Sequence, residues 1–123
     1  MPIPPTLVWL RHDLRLQDNA ALHSALAGGG PVIPVYVLDE NGAGRWPAGG
    51  ASRWWLHGSL AALASSLVAH GLRLVLRRGD AAEQLRDLAR ETGAGMVCWN
   101  RAYEPAARAV EMAVRAALAE LGV

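Results

Sequence analysis

The sequence has 123 residues, 52% of them apolar and 19% charged, with a mean hydropathy of +0.14, which suits one globular domain and excludes intrinsic disorder. Twelve basic against eleven acidic residues leave a formal charge of +1, without the basic surplus that marks nucleic-acid binding by such a segment alone. Every basic residue is arginine and Cys98 is the single cysteine, which excludes lysine Schiff-base chemistry, a P-loop lysine, an internal disulfide and a multi-cysteine metal site.

No apolar run reaches the roughly 18–20 residues of a membrane span, and Met1 to Pro5 lacks the basic start and apolar stretch of a secretory signal. The expectation is a cytoplasmic protein with no membrane contact. Thr6–Leu10 reads as a short buried strand. Asp18 or Asn19 can cap the helix that follows, with Leu22 and Leu26 on one face and a stop at Gly28-Gly29-Gly30. Val32–Leu38, rich in β-branched residues, is the second strand, although Pro34 removes one ladder donor from it. Ser52 opens a second helix whose Leu56, Leu60, Leu63 and Leu67 form an apolar stripe ending before Gly71.

Leu72–Leu76 reads as the third strand. Asp80 with Glu83 three residues on resembles a capping box for a third helix, which turns Leu85 and Leu88 inward and ends at Gly93. Met96–Trp99 is the fourth strand. Pro105 suits the first turn of a last helix presenting Val110, Val114, Ala117, Leu118 and Leu121. Strands apolar on both faces and separated by helices predict an α/β fold: a Rossmann-like, doubly wound parallel sheet in the order 3-2-1-4 with helices on both faces. Gly122 and Val123 fall where a helix would stop and another strand begin, so the chain reads as a fragment lacking a fifth edge strand.

Ligands of open parallel sheets bind beyond the carboxyl ends of the strands, near the point where strand order reverses. Those ends are Arg11-His12-Asp13, Leu38-Asp39-Glu40, Arg77-Arg78-Gly79 and Asn100-Arg101. The glycine-bearing stretch from Asn41 to Gly50 leads into the second helix, where free amides and Arg53 could hold a phosphate or carboxylate; a plain surface loop is the simpler alternative. The four histidines are scattered, and His57 and His70, thirteen residues apart on one helix, cannot share a metal. Cys98 inside an apolar strand reads as a small hydrophobe, and no serine stands in a nucleophile elbow. Trp9 and Trp99 suit core strand positions and Trp54-Trp55 an anchor for the second helix. The residues alone therefore describe a ligand-binding domain with no metal site and no catalytic constellation of its own.

The opening Leu7-Val8-Trp9-Leu10-Arg11-His12-Asp13-Leu14-Arg15-Leu16-Gln17-Asp18-Asn19 closely resembles the start of the DNA photolyase and cryptochrome family. Further resemblance lies in Pro34-Val35-Tyr36-Val37-Leu38-Asp39, in Ser52-Arg53-Trp54-Trp55-Leu56-His57-Gly58-Ser59-Leu60 and in Trp99-Asn100-Arg101-Ala102-Tyr103-Glu104-Pro105. Arg73-Leu74-Val75-Leu76-Arg77-Arg78-Gly79-Asp80 fits the third strand of the same domain, so the resemblance runs through essentially the whole chain in order.

The resemblance implies the N-terminal α/β domain of a deoxyribodipyrimidine photolyase-like protein, a carbon–carbon lyase that repairs pyrimidine dimers with light. In such proteins this domain often holds an antenna chromophore, and a larger helical domain binds FAD and docks the lesion. The partners implied are that missing FAD-binding domain and, through the full-length protein only, damaged DNA. The chain alone is expected to be inactive, and none of Trp9, Trp46, Trp54, Trp55 or Trp99 inherits the family's electron-transfer role. Carried over by position, the pigment site comprises Arg11, Asp13, Leu38, Asp39, Arg53, Asn100 and Glu104. Ala106-Ala107 stands where folate-binding members have Asn-Glu, and Ala102 where some deazaflavin binders have an acid. The first departure weakens a folate and the second a deazaflavin; a deazaflavin or flavin is still expected ahead of a folate, and the identity of the pigment stays open. A cryptochrome-type blue-light photoreceptor and a free-standing Rossmann-like nucleotide-binding module are the alternative readings.

Overall fold

The computed structural model describes residues 3–11, 19–38, 50–100 and 105–123, the side chains of 50–56 and 106 excepted. Four strands and four helices alternate: β1 (Thr6–Leu10), α1 (Ala20–Ala27), β2 (Val32–Leu38), α2 (Gly50–Ala69), β3 (Val75–Arg78), α3 (Ala81–Thr92), β4 (Met96–Cys98) and α4 (Pro105–Ala119). The strands form one parallel sheet in the order β3-β2-β1-β4, as the alternating pattern predicts.

Strand periodicity sorts the core into two layers. Leu7, Trp9, Val35 and Val37 pack with Ala81, Leu85, Leu88 and Ala89 of α3 and Val114 and Leu118 of α4. Val8, Leu10 and Val32 point the other way, onto Ala21, Leu22 and Ala25 of α1 and Leu63 and Leu67 of α2. The split follows from crossover handedness. The steps β1→β2→β3 run one way along the sheet, so right-handed connections put α1 and α2 on one face. The return past β1 to β4 runs the opposite way and puts α3 on the other. β1 is thus the central strand of the doubly wound sheet, and β1 and β4 flank the point where the order reverses.

Three details depart from the sequence-based expectations. β3 lies at Val75–Arg78, three residues later than the apolar run Leu72–Leu76. The reason lies in its neighbour: Pro34 has no N–H to offer, and the β2–β3 register opens one residue later, at Val35↔Val75. Leu72 and Leu74 instead pack against the α1–α2 layer. On α1, Leu22 is buried but Leu26 is 49% exposed, because so short a helix rests on the sheet through Ala21, Leu22 and Ala25. β4 ends at Cys98, so Trp99 lies just beyond the strand.

The caps match the residues. Asn19 accepts from the Leu22 N–H at 3.1 Å and Asp80 from the Glu83 N–H at 3.0 Å, each satisfying a first-turn donor that has no helical partner. α3 ends at Gly93 with φ at 71°, a left-handed cap whose N–H reaches the Ala89 carbonyl.

Candidate functional site

The carboxyl ends of β1 and β4 lie side by side, and the residues just beyond them, Arg11 and Asn100, meet there. Arg11 donates from Nη2 to the Asn100 carbonyl at 2.6 Å and from Nη1 to Glu111 Oε2 at 3.1 Å. Its guanidinium lies 4.5 Å from the Trp9 ring centroid, a cation–π contact. Two hydrogen bonds and a stacking face hold the group in one orientation.

The Asn100 side chain works on the opposite side. Its Oδ1 accepts from the Ala21 N–H at 2.9 Å, and its Nδ2 donates to Asn19 Oδ1 at 2.8 Å. Asn19, fully buried, thereby accepts both from Asn100 and from its own helix. The start of α1 is stitched to the end of β4 across the order reversal.

Glu111 anchors the other end. It is 6% exposed and sits in α4 between the inward-facing Val110 and Val114. Oε2 takes Arg11, and Oε1 accepts from Trp99 Nε1 at 3.2 Å. Trp99 stands edge-on to Trp9, with ring centroids 5.5 Å apart and planes at 72°, and the Arg115 guanidinium lies 5.7 Å from its ring. Glu111, Arg11, Asn100 and Asn19 therefore form a continuous polar relay from one helical layer, around the ends of β1 and β4, to the other. Breaking a buried charge pair by removing one partner typically costs about 3–5 kcal/mol, whereas an apolar pair of equal volume would hold the helix as well.

Of the seven residues the sequence pointed to, the structure brings together Arg11 and Asn100. Leu38, half-buried, closes β2, and its carbonyl accepts from the Gly79 N–H at 3.0 Å. Arg53 lies in α2, near the helix start at Gly50. Asp13, Asp39 and Glu104, the side chain of Arg53 and the Asn41–Gly50 loop short of its last residue lie outside the described residues. Glu111 was missed, although a signal for it exists: it stands three before Val114 and seven before Leu118, on the apolar stripe of α4. Among the described residues no cluster of His, Cys, Asp or Glu could hold a metal ion, and no helix is long and apolar enough to cross a membrane. Cys98 is partly buried, and burial pushes its thiol above the ordinary cysteine value, away from nucleophilic use.

The family model for DNA photolyase matches residues 6–123. The chain belongs to the DNA photolyase family. A deoxyribodipyrimidine photo-lyase of Agrobacterium fabrum is 56% identical over 119 residues, covering 97% of this chain and 24% of the relative. Cryptochrome-1 of Arabidopsis thaliana is 42% identical over 101 residues, 81% of this chain and 15% of that protein. The crystal structure of a bacterial class III photolyase from Agrobacterium tumefaciens superposes with a TM-score of 0.91 at 51% identity, over 100% of this chain and 25% of that one. An archaeal photolyase from Sulfolobus tokodaii, solved with two FAD molecules and described as implying a novel light-harvesting cofactor, reaches 0.83 at 26% identity, over 96% and 27%. The chain thus spans about a quarter of the length of the photolyases it matches. Photolyase-family proteins bind flavin and antenna chromophores, and the relay described above occupies the sheet edge of this photolyase domain where a doubly wound fold takes its ligand.

Proposed function

We propose that this chain is the pigment-holding N-terminal domain of a light-driven deoxyribodipyrimidine photo-lyase. The observation that carries the reading is the 56% identity to such an enzyme over 97% of the chain. Lesion binding, FAD and the cleavage of the carbon–carbon bonds between joined pyrimidines belong to a partner domain that the longer relatives have room for. This domain's own part is to hold an antenna pigment at the carboxyl edge of the sheet and pass its excitation on. The proposed pigment site takes Arg11 and Asn100 at the order reversal and, by their positions in the sequence, Asp13, Leu38, Asp39, Arg53 and Glu104. Arginine suits an anionic tail and the carboxylates suit ring or ribitol donors. The photolyase described with two FAD molecules supports a second pigment in this family. The cytoplasm is the proposed compartment.

Titrating the purified chain with FMN, a deazaflavin and methenyltetrahydrofolate, followed by absorbance, tests the pigment site and identifies its occupant. Saturable binding of one of the three is the expected result, and binding of none overturns it. The second reading, a photoreceptor without repair activity, draws on the 42% identity to Cryptochrome-1. Protein isolated from its native source and illuminated with a dimer-containing oligonucleotide separates the two: restored bases support the photo-lyase, and intact dimers support the photoreceptor.

A further inference from the structure

We infer that Glu111 is a positioning residue for the pigment site, acting through Arg11. The inference rests on the antenna reading and adds to it a residue that lies on neither a strand end nor a loop.

Three observations carry it. Glu111 is a carboxylate buried to 6% exposure on the apolar face of α4, where an apolar pair in place of Glu111 and Arg11 together would pack without loss of stability. Its consequence is therefore geometric. Its two oxygens hold two different groups, Arg11 Nη1 and Trp99 Nε1, from the ends of the two strands that flank the order reversal. Arg11 in turn reaches the Asn100 carbonyl through Nη2, so the guanidinium plane is set by contacts on both sides. The Arg11 side chain keeps 17% exposure, against 8% for the Glu111 side chain. The carboxylate is buried behind, and the cation it orients is the group that meets a ligand. A pigment phosphate or acidic substituent would find the cation already fixed in place, and preorganisation of this kind raises affinity by reducing the ordering left to the binding step.

The test is a double-mutant cycle on pigment affinity, using whichever of FMN, deazaflavin or methenyltetrahydrofolate the unaltered chain binds. Arg11→Gln and Glu111→Gln should each weaken binding roughly ten- to a hundredfold, about the effect of losing one charge-assisted contact. The double variant should bind no worse than Arg11→Gln alone, because the inferred route from Glu111 to the pigment runs through Arg11 and not through its second partner, Trp99. Unchanged affinity in Glu111→Gln, or losses that multiply in the double variant, overturns the inference and leaves the antenna reading standing. An unaltered chain that binds none of the three pigments overturns both. Arg11→Lys covers the case in which Glu111→Gln does not fold. Lysine keeps the charge but cannot bridge Glu111 and the Asn100 carbonyl in one plane, so affinity should still fall at least tenfold. Full affinity in Arg11→Lys would mean that charge without orientation suffices, and the inference fails.

Discussion

The amide of Asn100 donates to the amide of Asn19 at 2.8 Å across 81 positions of sequence. Asn19 Oδ1 also caps α1, so one buried oxygen serves both a local and a distant donor. Removing it orphans both. Asn19→Ala should cost about 2–3 kcal/mol, above the usual loss for an exposed cap. Asn19→Asp, which keeps the acceptor, should retain more of the stability than the alanine variant. Urea denaturation of the two variants, read by far-UV circular dichroism, checks the order.

Trp9 and Trp99, 5.5 Å apart and steeply inclined, are close enough for their indole transitions to couple. Replacing either with phenylalanine should remove the same feature from the circular dichroism spectrum. Trp99→Phe should also lower stability by about 1–3 kcal/mol, since it leaves Glu111 Oε1 without the indole N–H in a buried setting. Equal and independent losses from the two variants would show that the rings do not communicate.

The core assignment separates two leucines of similar sequence context. Leu85 is fully buried between α3 and the sheet, and Leu85→Ala should cost about 2–5 kcal/mol. Leu26, 49% exposed, should tolerate Leu26→Ala with a loss below about 0.5 kcal/mol. A chemical-denaturation midpoint for each variant decides it.

Burial raises the Tyr36 hydroxyl above the ordinary tyrosine value. The folded chain then holds its proton at pH values where the unfolded chain has lost it. Stability from this group is intact below about pH 10 and falls as pH rises through the folded value. In an absorbance titration at the tyrosinate band, one of the chain's two tyrosines should ionise late, and Tyr36→Phe should remove that step.

Much of this fold was legible because strand and helix obey different periods. Thr6–Leu10 and Val32–Leu38 were placed to the residue, since an apolar run flanked by polar turns admits little else. The third strand was misplaced because both Leu72–Leu76 and Val75–Arg78 are short, and periodicity alone cannot see that Pro34 on a neighbouring strand delays the pairing. At the site, Arg11 and Asn100 were legible from position, as polar residues directly after apolar strands. Their partners were not. Asn19 could be read as a cap, a local role, but its bond to Asn100 depends on tertiary docking. Glu111 breaks the apolar stripe of α4, and a charge there has meaning only once Arg11 and Trp99 are known to lie opposite.

The central position of β1 has a consequence for biosynthesis. β1 pairs on one side with Val32–Tyr36 but on the other with Met96–Cys98, 90 positions further along at Thr6↔Met96. At translation speeds of about 5–20 residues per second, roughly 4–18 s separate the synthesis of the two. Leu7 and Val8, both fully buried in the finished sheet and paired there with β4, spend that interval with one rim unpaired. During that time β1 offers any other strand in reach an open edge, and of the two helices that finally cover its Leu7 face only α3 is made before β4.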